Sequence, residues 1–379
     1  MRVLAPSTPS YRILYVAPLV PQENALFRYW ALQRLGNTLF PLSETYFKAG
    51  GSALAGKLKF RTQLGPTVDE YNNAVLDEAV RNHVDIVWAD KQTLLRPGTL
   101  RALRRRGIAT VDFTIDNAYG PRLDPGWQTY KACVGEYDLH ILQRDVSLRD
   151  YLAAGARNVV KMQTAFDLAA QFPPPFGWTD RDRDREVSFV GSPYDDRADF
   201  LARLHTEFGL PVVISGMPRW AQVLPEGAKQ LYTGTEPLGR DYLMTLWRSK
   251  ISLSFVTKAN QDEYAHRTFE LAGCAAFQVA ERCLGHQERF VEDEEIVLFS
   301  SIEECAAKIR RYLPDEAARH RIALAGHRRA HKSGYYNDAL LKQVLGRLAP
   351  IVDRVRATHP TQIQGFSRRT KVVRPYDFY

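Results

Sequence analysis

Cysteine is scarce in this 379-residue chain: Cys133, Cys274, Cys283 and Cys305 are the whole supply, and no two are separated by two residues. That spacing excludes a Cys-x-x-Cys redox or zinc motif and predicts reduced thiols inside apolar segments. No apolar run approaches the roughly 20 residues a membrane-spanning helix needs. The first ten residues carry no apolar core of a secretory signal, so the sequence predicts a chain that stays in the cytosol. No Gly-x-Gly-x-x-Gly follows the first strand-like run, which argues against a dinucleotide-dependent oxidoreductase. Hydrophobic residues make up 45% of the chain, which excludes a disordered protein. What is in surplus is positive charge: 51 Lys and Arg against 43 Asp and Glu give a net charge of +8. A pI near 9.2 favours an anionic partner, whether a nucleotide, a nucleic acid or a membrane face carrying a lipid-linked substrate.

The first half alternates strand-like and helix-like patterns. Tyr11 to Ala17 is a β-branched and aromatic run broken by Pro18 and Pro21, and Glu23 to Leu35 reads as a helix stopped by Gly36. Residues 52–66 are basic and without clear period. Beyond them come a helix from Thr67 to Val84, a strand over Asp85 to Ala89, a helix from Pro97 to Arg106 and a strand over Ile108 to Thr114. A strand over Leu139 to Leu142, a helix from Val146 to Ala154 and a strand over Val159 to Met162 complete the series. Such alternation predicts a parallel sheet covered on both faces, with ligands beyond the carboxyl ends of its strands. Asp90 and Asp116 fall at such ends; either can be a turn residue or part of a site.

Residues 171–186 contain Phe172-Pro-Pro-Pro-Phe-Gly-Trp178 and then alternate Asp and Arg up to Arg185, which predicts an interdomain linker. Asp180, Asp182 and Asp184 mimic an Asp-x-Asp metal motif, but the intervening arginines favour a solvated charge run. The domains are therefore expected at 1–170 and 187–340, with a terminal helix and basic tail over 341–379. The second domain restarts with a strand over Val187 to Val190, and Gly191-Ser192 opens a turn able to receive phosphate on backbone N–H groups. Trp220 is read as core. Ser300-Ser-Ile-Glu303 resembles a capping box, and His327 and His331 lie four apart with no acid to complete a metal set, so no metal site is expected.

The stretch Tyr264-Ala-His-Arg-Thr-Phe-Glu270 puts His266, Arg267 and Glu270 at the opening of an apolar segment. Arg267 and Glu270 are three apart, hence on one helical face. A helix start offering N–H groups, a guanidinium and a carboxylate can hold a ligand with phosphates at one end and hydroxyls at the other, as in a nucleotide-sugar. An ordinary amphipathic helix with an exposed Arg–Glu pair reads the same way.

Several segments together carry a family resemblance. They are Val187 to Gly191, Ile214-Ser-Gly216, Tyr232-Thr-Gly234, Tyr242 to Phe255, Arg267-Thr-Phe-Glu270, Glu295 to Phe299, and Ile322 to His327 with Tyr335-Tyr336. In order and spacing this set resembles the CgeB-like glycosyltransferases, within the group 1 glycosyltransferases of GT-B fold. The resemblance implies two Rossmann-like α/β domains with parallel sheets facing across a cleft, and a nucleotide-sugar donor on the second. It implies no cofactor beyond that donor. Glu270 matches a family glutamate that bonds the ribose hydroxyls, while Asp262 stands where a first glutamate is usual. Ala275 replaces a usual glycine, which bears on how closely backbone approaches the ligand there.

Glycosyl transfer of this hexosyltransferase type needs the negative charge on a departing diphosphate to be stabilised while positive charge develops at the anomeric carbon, and fixed cations with helix N-termini do this without metal. Arg267 and Lys258, with His266 nearby, are the expected diphosphate cations; Gly191, Ser192 and Gly216 are expected to line the donor. Asp116 is the expected acceptor-side carboxylate. It acts as base if the reaction inverts and orients the acceptor if it retains, and the family leans towards retention. Three readings stay open: a transferase acting on a glycan or lipid-linked acceptor in surface glycan synthesis, a transferase acting on modified nucleic acid, and a nucleotide-sugar-binding module without turnover. The tail beyond Asp353 holds six Arg or Lys against one Asp, with aromatics in Pro375-Tyr-Asp-Phe-Tyr379. It can brace the first domain or lie on a membrane surface.

Overall fold

The computed structural model describes residues 9–20, 24–45, 62–121 and 125–359. The tail from 360 onward, Pro21, Glu23 and most of the 52–66 stretch lie outside them. The chain divides into two compact units: one runs to Gln163 and resumes at Asp338, and the other is Thr164–Asn337.

The first unit contains β1 (Arg12–Val16), α1 (Asn24–Arg34), β2 (Thr38–Leu42), α2 (Pro66–Arg81), β3 (Ile86–Asp90), α3 (Pro97–Arg104) and β4 (Ala109–Thr114). After a 3-10 turn at Pro125–Trp127 come α4 (Gln128–Cys133), β5 (Leu139–Leu142), α5 (Asp145–Ala153) and β6 (Val159–Lys161). All strand pairs are parallel, in the order β2-β1-β3-β4-β5-β6. Every residue of β3 and β4 is buried, as expected of strands covered by helices on both faces. Gly36, at φ +87°, ends α1 in the left-handed conformation that glycine adopts at least cost. Sequence pattern missed β2 because Pro41 reads as a breaker. The strand pairs only with β1, at the sheet's edge, where a residue without N–H is tolerated.

The second unit contains β7 (Arg185–Val190), α6 (Arg197–Thr206), β8 (Val212–Ser215), α7 (Trp220–Val223), α8 (Gly239–Trp247), β9 (Ser249–Ser254) and α9 (His266–Gly273). Then come β10 (Gln278–Glu281), α10 (Leu284–Gln287), β11 (Val297–Phe299), α11 (Ile302–Tyr312) and α12 (Glu316–Lys332). Its sheet is also parallel, in the order β11-β10-β9-β7-β8. Its core joins the buried faces of β7, β8 and β9 to α6 and α11. The cap of α11 falls one residue beyond the expected box: Ser301 accepts from the Glu304 N–H at 3.2 Å.

The linker stretch and the last helix each pack on one unit. The 171–186 stretch is part of the second unit. Trp178 donates to the Trp247 carbonyl at 3.1 Å, and Trp247 donates to the Phe172 carbonyl at 2.8 Å. The aspartates remain solvent-accessible and each has a partner: Asp180 pairs with Arg319, Asp184 with Arg248, and Asp182 accepts the Thr179 N–H at 2.8 Å. At the other end, α13 (Asn337–Thr358) belongs to the first unit. Leu341, Val344, Leu345, Leu348, Ile351, Val352 and Val355 recur every three or four residues and are buried with Ile13, Trp88 and Val111. Arg34 grips Asp338 with two bonds of 2.8 and 2.7 Å at the start of that helix.

Candidate donor site

In the second unit the connections after β7 and β9 run to opposite sides, so the switch point of the sheet lies between these two strands. The loops at their carboxyl ends are tied together. Arg197, buried at the start of α6, donates to the Ser192 carbonyl at 3.2 Å and to Thr257 Oγ1 at 2.9 Å. The Asp195 carboxylate accepts the N–H groups of Lys258 and Ala259 at 2.8 and 3.1 Å, and Glu281 accepts that of Val256 at 2.9 Å. These loops are thus held by side chains from two neighbouring segments, the start of α6 and the end of β10.

The helix α9 opens onto this edge. Ala265 precedes its first turn without a capping side chain of its own; its N–H goes instead to Nε2 of the buried His286 at 3.0 Å. Nδ1 of His286 faces the Glu281 carbonyl at 2.8 Å, which fixes the tautomer as Nδ1–H with Nε2 accepting. Burial lowers the His286 pKa to about 4 and so keeps the ring neutral.

One turn further in, Glu270 is only 5% exposed. Arg267 Nη1 lies 3.0 Å from its Oε2, His266 Nε2 lies 3.4 Å from Oε1, and the Tyr242 hydroxyl donates to Oε2 at 2.9 Å. The Arg267 guanidinium also rests over the Tyr242 ring, 4.7 Å from its centroid. Burial acts to raise the Glu270 pKa, but the Arg267 and His266 charges outweigh it and hold the carboxyl below its usual value. Lys258 is more open, its side chain 60% exposed, and sits 3.4 Å from Asp196 and 3.7 Å from Glu281. Against the effect of partial burial, those carboxylates raise its pKa.

The structure therefore brings His266, Arg267 and Glu270 into one cluster, with Lys258, Gly191, Ser192 and Gly216 on loops of the same sheet edge. The Gly191 N–H, expected to face phosphate, donates to the Ser215 carbonyl, and that of Gly216 donates to the Thr235 carbonyl, both at 3.0 Å. Packing also requires these glycines. A Cβ on Gly216 would run into the Gly191 carbonyl oxygen and lie 2.9 Å from Trp220 Nε1; one on Gly191 would meet the Phe189 ring at 3.0 Å. Trp220 is fully buried and donates to the Gly191 carbonyl at 2.7 Å, as a core residue does. Ala275 follows the far end of α9 in a left-handed conformation, φ +49°. Glycine is favoured there for ending a helix, not for approach to a ligand.

Asp116 lies in the first unit just beyond β4, ion-paired with Lys91. Its neighbour Asp90 is no turn residue. It ends β3, buried, and accepts two bonds from Arg28 at 2.7 and 2.9 Å and one from Tyr15 at 2.6 Å. Sequence reasoning missed Tyr242, Arg197 and His286. Tyr242 reaches Glu270 across 28 residues of chain, and His286 reaches Ala265 across 21, with no local motif to announce either.

Residues 196–346 match the model of a family described as glycosyl transferase-like. No curated protein matches the chain. Among solved structures, a sucrose-phosphate synthase from Thermosynechococcus elongatus superposes with a TM-score of 0.63 at 11% identity, covering 90% of this chain and 99% of that one. The Anabaena protein HepE in complex with UDP and glucose gives 0.60 at 13%, covering 90% and 100%. A glycosyltransferase from Rickettsia africae gives 0.59 at 14%, covering 90% and 99%. The fold is thus that of the GT-B glycosyltransferases, two parallel-sheet α/β domains.

Proposed function

We propose that this chain is a glycosyltransferase that binds a nucleotide-sugar on its second unit and passes the sugar to an acceptor hydroxyl. The observation that carries the reading is the His266–Arg267–Glu270 cluster at the start of α9, beside the switch point of a GT-B sheet. The HepE structures hold UDP and UDP-glucose, which favours a UDP-sugar as donor. On this reading Glu270 receives the ribose hydroxyls, while Arg267, Lys258 and the positive end of α9 face the diphosphate. Ser192 lies at the same sheet edge, and Arg197 braces its loop.

The chemical step breaks the bond from the anomeric carbon to the β-phosphate oxygen and forms one from that carbon to the acceptor oxygen. Positive charge develops on the sugar and negative charge on the diphosphate, where the fixed cations stabilise it without a metal. In the retaining course we favour, the leaving phosphate oxygen takes the acceptor proton. Asp116, at the carboxyl edge of the first unit's sheet, then orients the acceptor. The CgeB-like motifs support an acceptor in surface glycan or glycoconjugate synthesis. Among the described residues no helix is long and apolar enough to cross a membrane, so the reading is of cytoplasmic work, with any lipid-linked acceptor met at the membrane face.

A screen of nucleotide-sugars and free nucleotides by thermal shift, with release of nucleoside diphosphate followed in parallel, tests this. The expected result is one donor that stabilises the protein and is slowly hydrolysed, with both effects reduced in Glu270→Gln. A protein that no member of the panel stabilises is not a nucleotide-sugar transferase.

A further inference from the structure

We propose that Tyr242 is a positioning residue for the donor. It fixes which oxygen of Glu270 meets the ribose, and so makes the site choose ribonucleotides over their deoxy counterparts. This inference rests on the donor reading above.

A carboxylate has two oxygens, and those of Glu270 are used unequally. Oε2 takes both the Tyr242 hydroxyl at 2.9 Å and Arg267 Nη1 at 3.0 Å. Among the described residues, the contact to Oε1 is that of the His266 ring nitrogen at 3.4 Å, beyond the usual range of a strong hydrogen bond. Because an ionised carboxylate only accepts, the Tyr242 hydroxyl must donate to it. That bond turns the carboxylate plane and leaves Oε1 as the oxygen with lone pairs to offer. A ribose diol has two O–H donors, and a single well-held oxygen with two lone pairs can receive both.

The tyrosine is itself well held. Leu243 and Leu246 of α8 are buried against Leu271 and Cys274 of the α9 segment, with Tyr242 packed on the same cluster. The contact between the two helices therefore sets the distance from ring to carboxylate. The ring has a second task, since the Arg267 guanidinium lies on its face at 4.7 Å. One side chain thus orients the ribose acceptor through its hydroxyl and the cation beside it through its ring. Replacing tyrosine by phenylalanine separates the two: the platform stays and the hydroxyl goes.

The test is isothermal titration of wild type and Tyr242→Phe with UDP and with 2′,3′-dideoxy-UDP. Wild type should prefer UDP by about tenfold or more, the scale of hydrogen bonds to a charged group. Tyr242→Phe should bind the dideoxy compound as wild type does but lose most of its preference for UDP, while keeping its melting temperature without ligand. A structural role alone would weaken both nucleotides together. Tyr242→Leu, which also removes the ring, should lower affinity for both. If wild type discriminates and Tyr242→Phe discriminates equally, the inference is overturned and the donor reading stands. If wild type binds the two nucleotides equally, Glu270 does not read the ribose, and both fall.

Discussion

Glu270 is a carboxylate that burial alone would drive towards its neutral form, and it stays charged because Arg267 and His266 adjoin it. Glu270→Gln removes that charge with little change of shape. It should weaken UDP binding by about tenfold or more, again the scale of a charged hydrogen bond, read by titration calorimetry. The Arg267 and His266 charges, outweighing burial, hold the carboxyl below its usual value, so its contribution to binding should persist into mildly acidic solution and be lost as pH falls through that lowered pKa. His286 behaves in the opposite setting. Its folded pKa, about 4, lies below the unfolded 6.5, so the unfolded chain takes up the proton first. Stability from this group is complete above pH 6.5 and is lost as pH falls towards 4, by up to about 3 kcal/mol. His286→Gln can keep an acceptor for the Ala265 N–H without titrating. Its thermal midpoint should therefore fall less than that of wild type between pH 7 and pH 5.

At the scale of elements, α9 was legible because its chemistry is local: Arg267 and Glu270 are three residues apart, and the apolar side follows at once. What completes it was not legible. Tyr242 comes from another helix, and the histidine behind Ala265 follows the next strand, so only the fold brings them there. A strand buried on both faces, such as β3, announces itself as a nearly continuous apolar run, whereas the edge strand β2 is hidden by Pro41. The Asp–Arg run at 180–185 is legible as an exposed charge run, but composition does not show that Arg319 and Arg248, far along the chain, pair with it. The end of α9 offers a prediction of its own. Ala275 holds a left-handed conformation that costs an L-residue roughly 1 kcal/mol, so Ala275→Gly should be neutral to stabilising by up to about 1 kcal/mol in denaturant unfolding. It should leave donor affinity unchanged. Gly273→Ala should do the reverse, because its Cβ would lie 2.6 Å from the Phe166 ring, costing on the order of 1–3 kcal/mol.

At the scale of the whole molecule, the first unit is discontinuous: its strands come early and its last helix comes after the second unit is finished. Seven apolar side chains of α13 complete its core. At about 1.5–3 kcal/mol each, their burial is on the order of 10 kcal/mol or more, comparable with the entire stability of a domain. A chain ending at Asn337 should therefore lose the unfolding transition of the first unit in calorimetry while keeping that of the second. Alternation of strand and helix showed both sheets in the sequence; the return of α13 to the first unit was open there, because an amphipathic helix does not say which sheet it covers. Whether a nucleotide-sugar donor is held on the second unit and activated at the start of α9 can be read by ³¹P NMR of UDP-glucose and related UDP-sugars incubated with the protein. Growth of free UDP signals with wild type, and its loss in Arg267→Ala, is the predicted result. Donors that stay intact with wild type even when acceptor sugars are supplied, or that are cleaved equally by Arg267→Ala, would contradict it.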